Sequence, residues 1–187
     1  VDVNAAVEKK YGRRPLHWER VRGPRKIIAL FIATAAGAGL LPKAPGTFGT
    51  IVGLPIAYFT RDWPIIARVG LWTALTVAGT WSAQVFDQTM QSTDNQNIVI
   101  DEVVGMGITA WTLGGSLPTG WQGWLAAFLL FRLFDMWKPY PIRLVDVWSK
   151  KSPAWSGFGV MADDILAGFY GLLCIILLQH FGFFLTT

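Results

Sequence analysis

Apolar residues gather into six stretches, at roughly 27–41, 48–60, 66–86, 98–117, 121–137 and 160–185, separated by short polar or turn-forming segments. The last is the plainest, because no Asp, Glu, Lys or Arg occurs from Ile165 to Leu185. A run of about 20 apolar residues suffices for a helix to cross a hydrocarbon layer, so this stretch predicts a spanning helix. "LLPKAPGTFGT" divides the first two stretches, and Pro42, Pro45 and Gly46 set so close together predict a turn. The 27–41 piece is then short for crossing and reads as re-entrant or interfacial. Polar loops are expected at "DQTMQSTDNQN" and "WSKKSPAWSG". The predicted fold is all-α: an integral-membrane helical bundle of about five spanning helices plus the short N-terminal segment.

Composition supports this. Hydrophobic residues make up 52% of the chain and the mean hydropathy is +0.40, on the membrane side of ordinary soluble composition. Trp63, Trp121, Trp124, Trp137, Trp148 and Trp155 fall at ends of apolar runs, where an interfacial aromatic belt places them. Charge is uneven. Residues 1–26 carry eight basic and three acidic residues, a net of +5, whereas the remainder nets −1. This divides the chain into a basic cytoplasmic leader, 1–26, and a membrane-embedded domain, 27–187. The leader suits an anionic lipid surface, and the start reads as retained rather than as a cleaved signal. Nucleic acid is not expected as a partner, since the body offers no basic face or stacking platform.

Alternation of the stretches, with the first returning to its own side, puts 42–47, 87–100 and 138–159 in the cytoplasm and 61–65 and 114–122 outside. The 138–159 loop holds Lys138, Arg143, Lys150 and Lys151 against Asp146, as the positive-inside tendency requires. Arg61 and Arg68 near the outer side fit less well.

Against this background five acids stand out. Asp101 and Glu102 in "IVIDEVVGM", Asp135 in "FRLFDMWKPYPIR", and Asp163 and Asp164 in "GFGVMADDILAGF" interrupt or abut apolar runs, and all fall on the predicted cytoplasmic face. An ionised acid in low dielectric costs several kcal/mol unless a cation or strong donors compensate it. A divalent metal among them is the expected compensation, and Mg²⁺ suits carboxylates that share it with waters and substrate phosphate. Adjacent helical residues diverge by about 100°, so one member of each pair faces an ion while the other is free to fix a second ion or to accept a hydrogen bond from a neighbouring helix. The competing reading is a set of salt bridges to Arg132, Lys138 and Arg143. Gly105 and Gly168, one turn beyond Asp101 and Asp164, predict open space for a ligand above those carboxylates.

Arg132, Asp135 and Lys138 share a helical face before Pro139, a stripe suited to gripping a phosphate. Lys43, with the Gly46 amide and the Thr47 hydroxyl in the "KAPGTFGT" turn, offers a second set of phosphate contacts at a helix start. Other phosphatase chemistries lack their residues: Cys174 has no Arg at the phosphatase spacing, no Asp-x-Asp pair exists, and His17 and His180 lie far from the acids in sequence. What remains is metal-assisted attack by water, or less readily by a carboxylate.

The strings "LLPKAPGTFGTIVGLP", "IVIDEVVGM", "RLFDMWKPYPIRLVD" and "GFGVMADDILAG", in this order, resemble the phosphatidylglycerophosphatase A family over roughly residues 30–180. The resemblance implies a Mg²⁺-dependent enzyme of the bacterial inner membrane, its site facing the cytoplasm, that removes the terminal phosphate of phosphatidylglycerophosphate to leave phosphatidylglycerol. It implies catalytic and metal roles for Asp101, Glu102, Asp135, Asp163 and Asp164. It further implies a turn at Pro45, Gly46 and Thr47 and basic positions at Arg132, Lys138 and Arg143. The leader and the "SKKSPAWS" segment depart from the pattern. Competing readings are a phosphatase for another lipid phosphate, a metal-ion or proton transporter using the same acids, and a lipid-binding scaffold.

Overall fold

A computed structural model describes residues 16–114, 120–150 and 153–183; most of the basic leader lies outside these. Among the described residues the fold is all-helical. Seven α-helices follow in order: α1 (Pro24–Ala33), α2 (Pro45–Thr60), α3 (Ile65–Met90), α4 (Ile100–Thr109), α5 (Trp121–Trp137), α6 (Ile142–Lys150) and α7 (Ser156–His180). Every apolar stretch of the sequence overlaps one of them. Pro45 occupies the first position of α2, where its missing N–H costs nothing. α3 and α5 each stop at a left-handed residue, Gln91 and Lys138.

α7 has 25 residues and a mean hydropathy of 1.9 in its most apolar window, long and apolar enough to cross a membrane. Of that window 44% is buried, so an apolar face of the helix is left turned outward beyond its two buried acids, Asp163 and Asp164. Phe169, Leu173, Ile176 and Leu177 supply that outer face. α7 alone among the described helices meets these criteria. α4 has 10 residues, about 15 Å at the α-helical rise, roughly half of a hydrocarbon layer. The 98–117 stretch therefore does not form a full-length helix. Its second half turns at 110–114 instead.

α4 is the centre of the bundle. It packs mainly on α7 and α2, with further contacts to α3 and α5, and Val103, Val104 and Met106 are fully enclosed. Close approach on both sides depends on glycine. A Cβ at Gly49 or Gly53 of α2 would stand 2.7 Å from the Val99 carbonyl or 2.9 Å from that of Val103. On the other side a Cβ at Gly168 of α7 would stand 2.7 Å from the Gly105 carbonyl. Thr109 Oγ1 donates across the same crossing to the Gly168 carbonyl at 3.2 Å. The expectation of open space over Gly105 and Gly168 is thus overturned: two helix backbones meet there, and Phe131 fills what remains beside Gly105.

α1 is as short as α4 and turns Ile27, Ile28 and Phe31 outward next to the exposed Arg22 and Arg25. The chain then folds back through Gly37 (φ 96°), and the Ala33 carbonyl accepts the Val99 amide at 2.8 Å. That contact ties the N-terminal segment to the start of α4. At the far end of the bundle, Gln179 Nε2 of α7 reaches the Thr112 carbonyl at 3.1 Å and Arg68 stacks over Trp111. Residues 61–68, 111–114 and His180 therefore share the end opposite to the start of α4.

Candidate active site

Four chain segments deliver polar groups to one end of this bundle: the start of α2, the loop before α4 with its first turn, the C-terminal end of α5, and the third turn of α7. They enclose a cavity of about 260 Å³. Asp101, Glu102 and Asp164 each offer an oxygen to a cluster in which all three atoms lie within 4.8 Å of one another. Three negative charges at that separation repel strongly in a buried setting. Asp101 Oδ1, Glu102 Oε2 and Asp164 Oδ2 are also buried without a hydrogen-bond partner, as is Asp163 Oδ1 beside them. Buried carboxylate oxygens are normally satisfied. An all-oxygen set with unmet acceptors fits a hard divalent cation of the Mg²⁺ type, and Asp101, Glu102 and Asp164 are the residues able to hold it.

The other two acids are engaged with cations. Asp135 accepts a hydrogen bond from Arg132 Nη1, one helical turn back, and the same Nη1 lies 4.0 Å from Glu102 Oε1. Asp163 Oδ2 accepts from Lys138 Nζ, which also donates to Asp146 Oδ1 of α6 at 2.7 Å. The adjacent pair on α7 has split as 100° of divergence allows, Asp164 toward the cluster and Asp163 toward the lysine. The salt-bridge reading thus accounts for Asp135 and Asp163 and reaches the three-acid cluster only at the edge, where Arg132 stands 4.0 Å from Glu102 Oε1. Burial works against a charge on Lys138, but Asp163 and Asp146 outweigh it and hold the ammonium above the usual lysine range. Lys138 adopts a left-handed conformation (φ 46°) that glycine normally fills at a helix end. The strain is compensated by the two carboxylates that fix its side chain.

Of the basic and turn residues expected at the site, Pro45, Gly46, Arg132 and Lys138 line the cavity. Lys43, Thr47 and Arg143 do not, and both Lys43 and Arg143 are exposed. Asp94, Asn95 and Gln96 of the loop before α4 also line the cavity and escaped the sequence reading, as did Asp146. Their one signal was position, a polar run placed directly ahead of "IVIDE".

The phosphatidylglycerophosphatase A family profile matches residues 31–179, which include every one of these cavity residues. The chain is 34% identical over 164 residues to phosphatidylglycerophosphatase A of Haemophilus influenzae, covering 84% of this chain and 95% of that one. It is 35% identical over 143 residues to phosphatidylglycerophosphatase A of Escherichia coli, covering 73% and 75%. A Bacteroides thetaiotaomicron protein named provisionally as a phosphatidylinositol-3-phosphatase is 32% identical over 157 residues, covering 79% and 91%. No solved structure matches. With a family profile matched over residues 31–179 and 34–35% identity to two of its enzymes over 73–84% of the chain, the chain belongs to the phosphatidylglycerophosphatase A family.

Proposed function

We propose that this protein hydrolyses the terminal phosphate of phosphatidylglycerophosphate, with Mg²⁺ held by Asp101, Glu102 and Asp164. The observation that carries the reading is the convergence of those three acids next to Arg132 and Lys138 in one cavity. Phosphate chemistry needs both signs at short range, cations for the substrate's oxygens and anions for the metal. When bound, Mg²⁺ supplies polarisation of the phosphoryl oxygens and acidification of a water molecule. Arg132 neutralises the equatorial phosphate oxygens, and Asp135 keeps its guanidinium in place. Lys138 acts as a fixed point charge between Asp163 and Asp146. Water attacks phosphorus in line and gives up a proton, the phosphorus–oxygen bond to the glycerol breaks, and the released alkoxide takes up that proton. The products are phosphatidylglycerol and inorganic phosphate.

The bundle is proposed to sit in the bacterial inner membrane with this cavity at the cytoplasmic face and about five segments in the bilayer. α7 crosses fully and α4 only partway, enclosed by its neighbours. Support comes from the outward apolar face of α7, from the basic residues around α1, and from Arg143 beside the cavity end. Anionic lipids would meet those basic residues.

The test is phosphate release by the purified protein in detergent, with Mg²⁺ or with chelator. It is offered phosphatidylglycerophosphate, phosphatidylinositol-3-phosphate and phosphatidic acid. Preference for the first, lost on chelation, is expected. Preference for the inositol lipid would reassign the substrate, and metal flux in proteoliposomes without phosphate release would replace the enzyme reading by a transporter.

A further inference from the structure

The loop between α3 and α4, residues 91–99, is polar in sequence yet built like core. Asp87, in the last turn of α3, is 1% exposed, Asn95 is 1% exposed and Asn97 is 3% exposed. The Asp87 carboxylate accepts three hydrogen bonds from the loop. Oδ1 takes Ser92 Oγ at 2.9 Å and the Asn95 amide at 3.2 Å, and Oδ2 takes the Asp94 amide at 2.9 Å. Asn95 Oδ1 in turn accepts from the Asn97 amide at 3.1 Å and from Asn97 Nδ2 at 2.8 Å. Gln91 and Asp94 both take left-handed backbone conformations, φ 54° and 55°, which persist only where surrounding bonds enforce them. The loop's other side rests on the N-terminal segment, through Val99 on Ala33 and through the close approach of Gly39 to the Asn97 carbonyl. This tightly held loop sets Asp94, Asn95 and Gln96 in the cavity wall and ends two residues before Asp101.

Asp87 does not line the cavity, so its three bonds act through the loop. We infer that Asp87 is a positioning residue, fixing the loop so that Asp94 and the first turn of α4 stand at the geometry the acid cluster needs. The inference rests on the proposed metal site, since it is the ion's ligands that the loop positions. A carboxylate that merely satisfied buried donors would stabilise the fold without altering ion affinity. One that sets ligand geometry alters both, as outer partners of metal ligands do.

The experiment uses the full chain in detergent and Mn²⁺ as a probe, with free ion counted by electron paramagnetic resonance. Asp87→Asn keeps size but turns one acceptor into a donor facing loop N–H groups. It is expected to weaken Mn²⁺ binding by about tenfold or more, to raise the Mg²⁺ needed for half-maximal turnover in parallel, and to speed hydrogen exchange at 94–97 but not along α7. Ser92→Ala, which removes one of the three bonds, is expected to fall between. A lowered thermal midpoint with unchanged Mn²⁺ affinity in Asp87→Asn overturns the inference. If that variant does not fold, Ser92→Ala decides by the same comparison. Wild-type protein that binds Mn²⁺ but releases no lipid phosphate sinks the proposed reaction and leaves the positioning role standing. Wild-type protein that binds no Mn²⁺ sinks both.

Discussion

Gly46 faces Glu102 so closely that a methyl group on its Cα would overlap the carboxylate oxygen Oε1 and stand 3.1 Å from Arg132 Nη1. The start of α2 is thus a wall against which one candidate metal ligand is seated, and a Cβ at Gly46 would force that carboxylate to move. Gly46→Ala leaves the buried helix crossing at Gly49 and Gly53 untouched and displaces Glu102. The expected result is a folded protein whose Mg²⁺ requirement for half-maximal phosphate release rises by about tenfold. Wild-type metal dependence in this variant would show that Glu102 takes no part in holding the ion.

Removing a charge from the acid cluster separates function from stability. When no cation is bound, ionised Asp101, Glu102 and Asp164 would repel one another, since their oxygens lie within 4.8 Å. Asp164→Asn and Asp101→Asn are therefore expected to melt, in chelator, at or above the wild-type temperature. Added Mg²⁺ should raise the midpoint of the wild type and not of the variants. Turnover should fall by more than about a hundredfold, because outer partners of metal ligands alone are worth that much. Thermal melts with and without chelator decide this, and a large destabilisation in chelator would mean the acids serve the fold.

Lys138 works the other way. Its removal leaves Asp163 and Asp146 facing each other without the cation that both contact. Lys138→Met is expected to cost roughly 3 kcal/mol, the scale for breaking a buried pair from one side. Adding Asp163→Asn should recover part of that stability while phosphate release stays depressed. The pH dependence follows from the raised proton affinity of Lys138. A folded value above the unfolded one contributes stability that is fully present below the ordinary lysine range and lost only as pH climbs through the folded value. In an Asp163→Asn background, where Lys138 titrates without that partner, the stability gap between the lysine and Lys138→Met forms should thus be flat from about pH 6 to 9. A gap that shrinks within that window would contradict the assigned protonation.

The parts of this site that the sequence made legible are those where chemistry conflicts with surroundings. Asp101, Glu102 and Asp164 interrupt apolar runs, and only a ligand or a cation resolves that conflict. The division of labour between Asp163 and Asp164 was legible only as a helical angle, because which acid meets Lys138 depends on the turn after α5. Asp87 gave no signal at all: its partners are main-chain amides and two serines, Ser92 and Ser156, which leave no residue pattern. Gly105 and Gly168 misled, since a glycine beside a carboxylate reads the same whether a ligand or another backbone occupies the space. The 98–117 stretch predicted a full span on composition, which cannot show that a turn at 110–114 shortens the helix.

The basic residues divide by position, and kinetics can separate them. Arg132 and Lys138 line the cavity, whereas Arg143 and Lys43 are exposed and stand outside its lining. Arg132 also holds Asp135 and approaches Glu102 at 4.0 Å, so its charge acts on substrate and ligand shell together. Arg132→Gln is expected to lower kcat by about a hundredfold or more, the scale for losing one donor to a developing charge. Arg132→Lys should recover only part, because a point charge cannot make the paired contacts of a guanidinium. Lys43→Gln and Arg143→Gln should keep kcat and at most raise the KM for lipid, an effect that fades at high salt as surface charge is screened. Steady-state assays in mixed micelles at two salt concentrations measure all four variants. A kcat loss at Arg143 equal to that at Arg132 would place the reacting phosphate outside this cavity, over α6 instead of over the acid cluster.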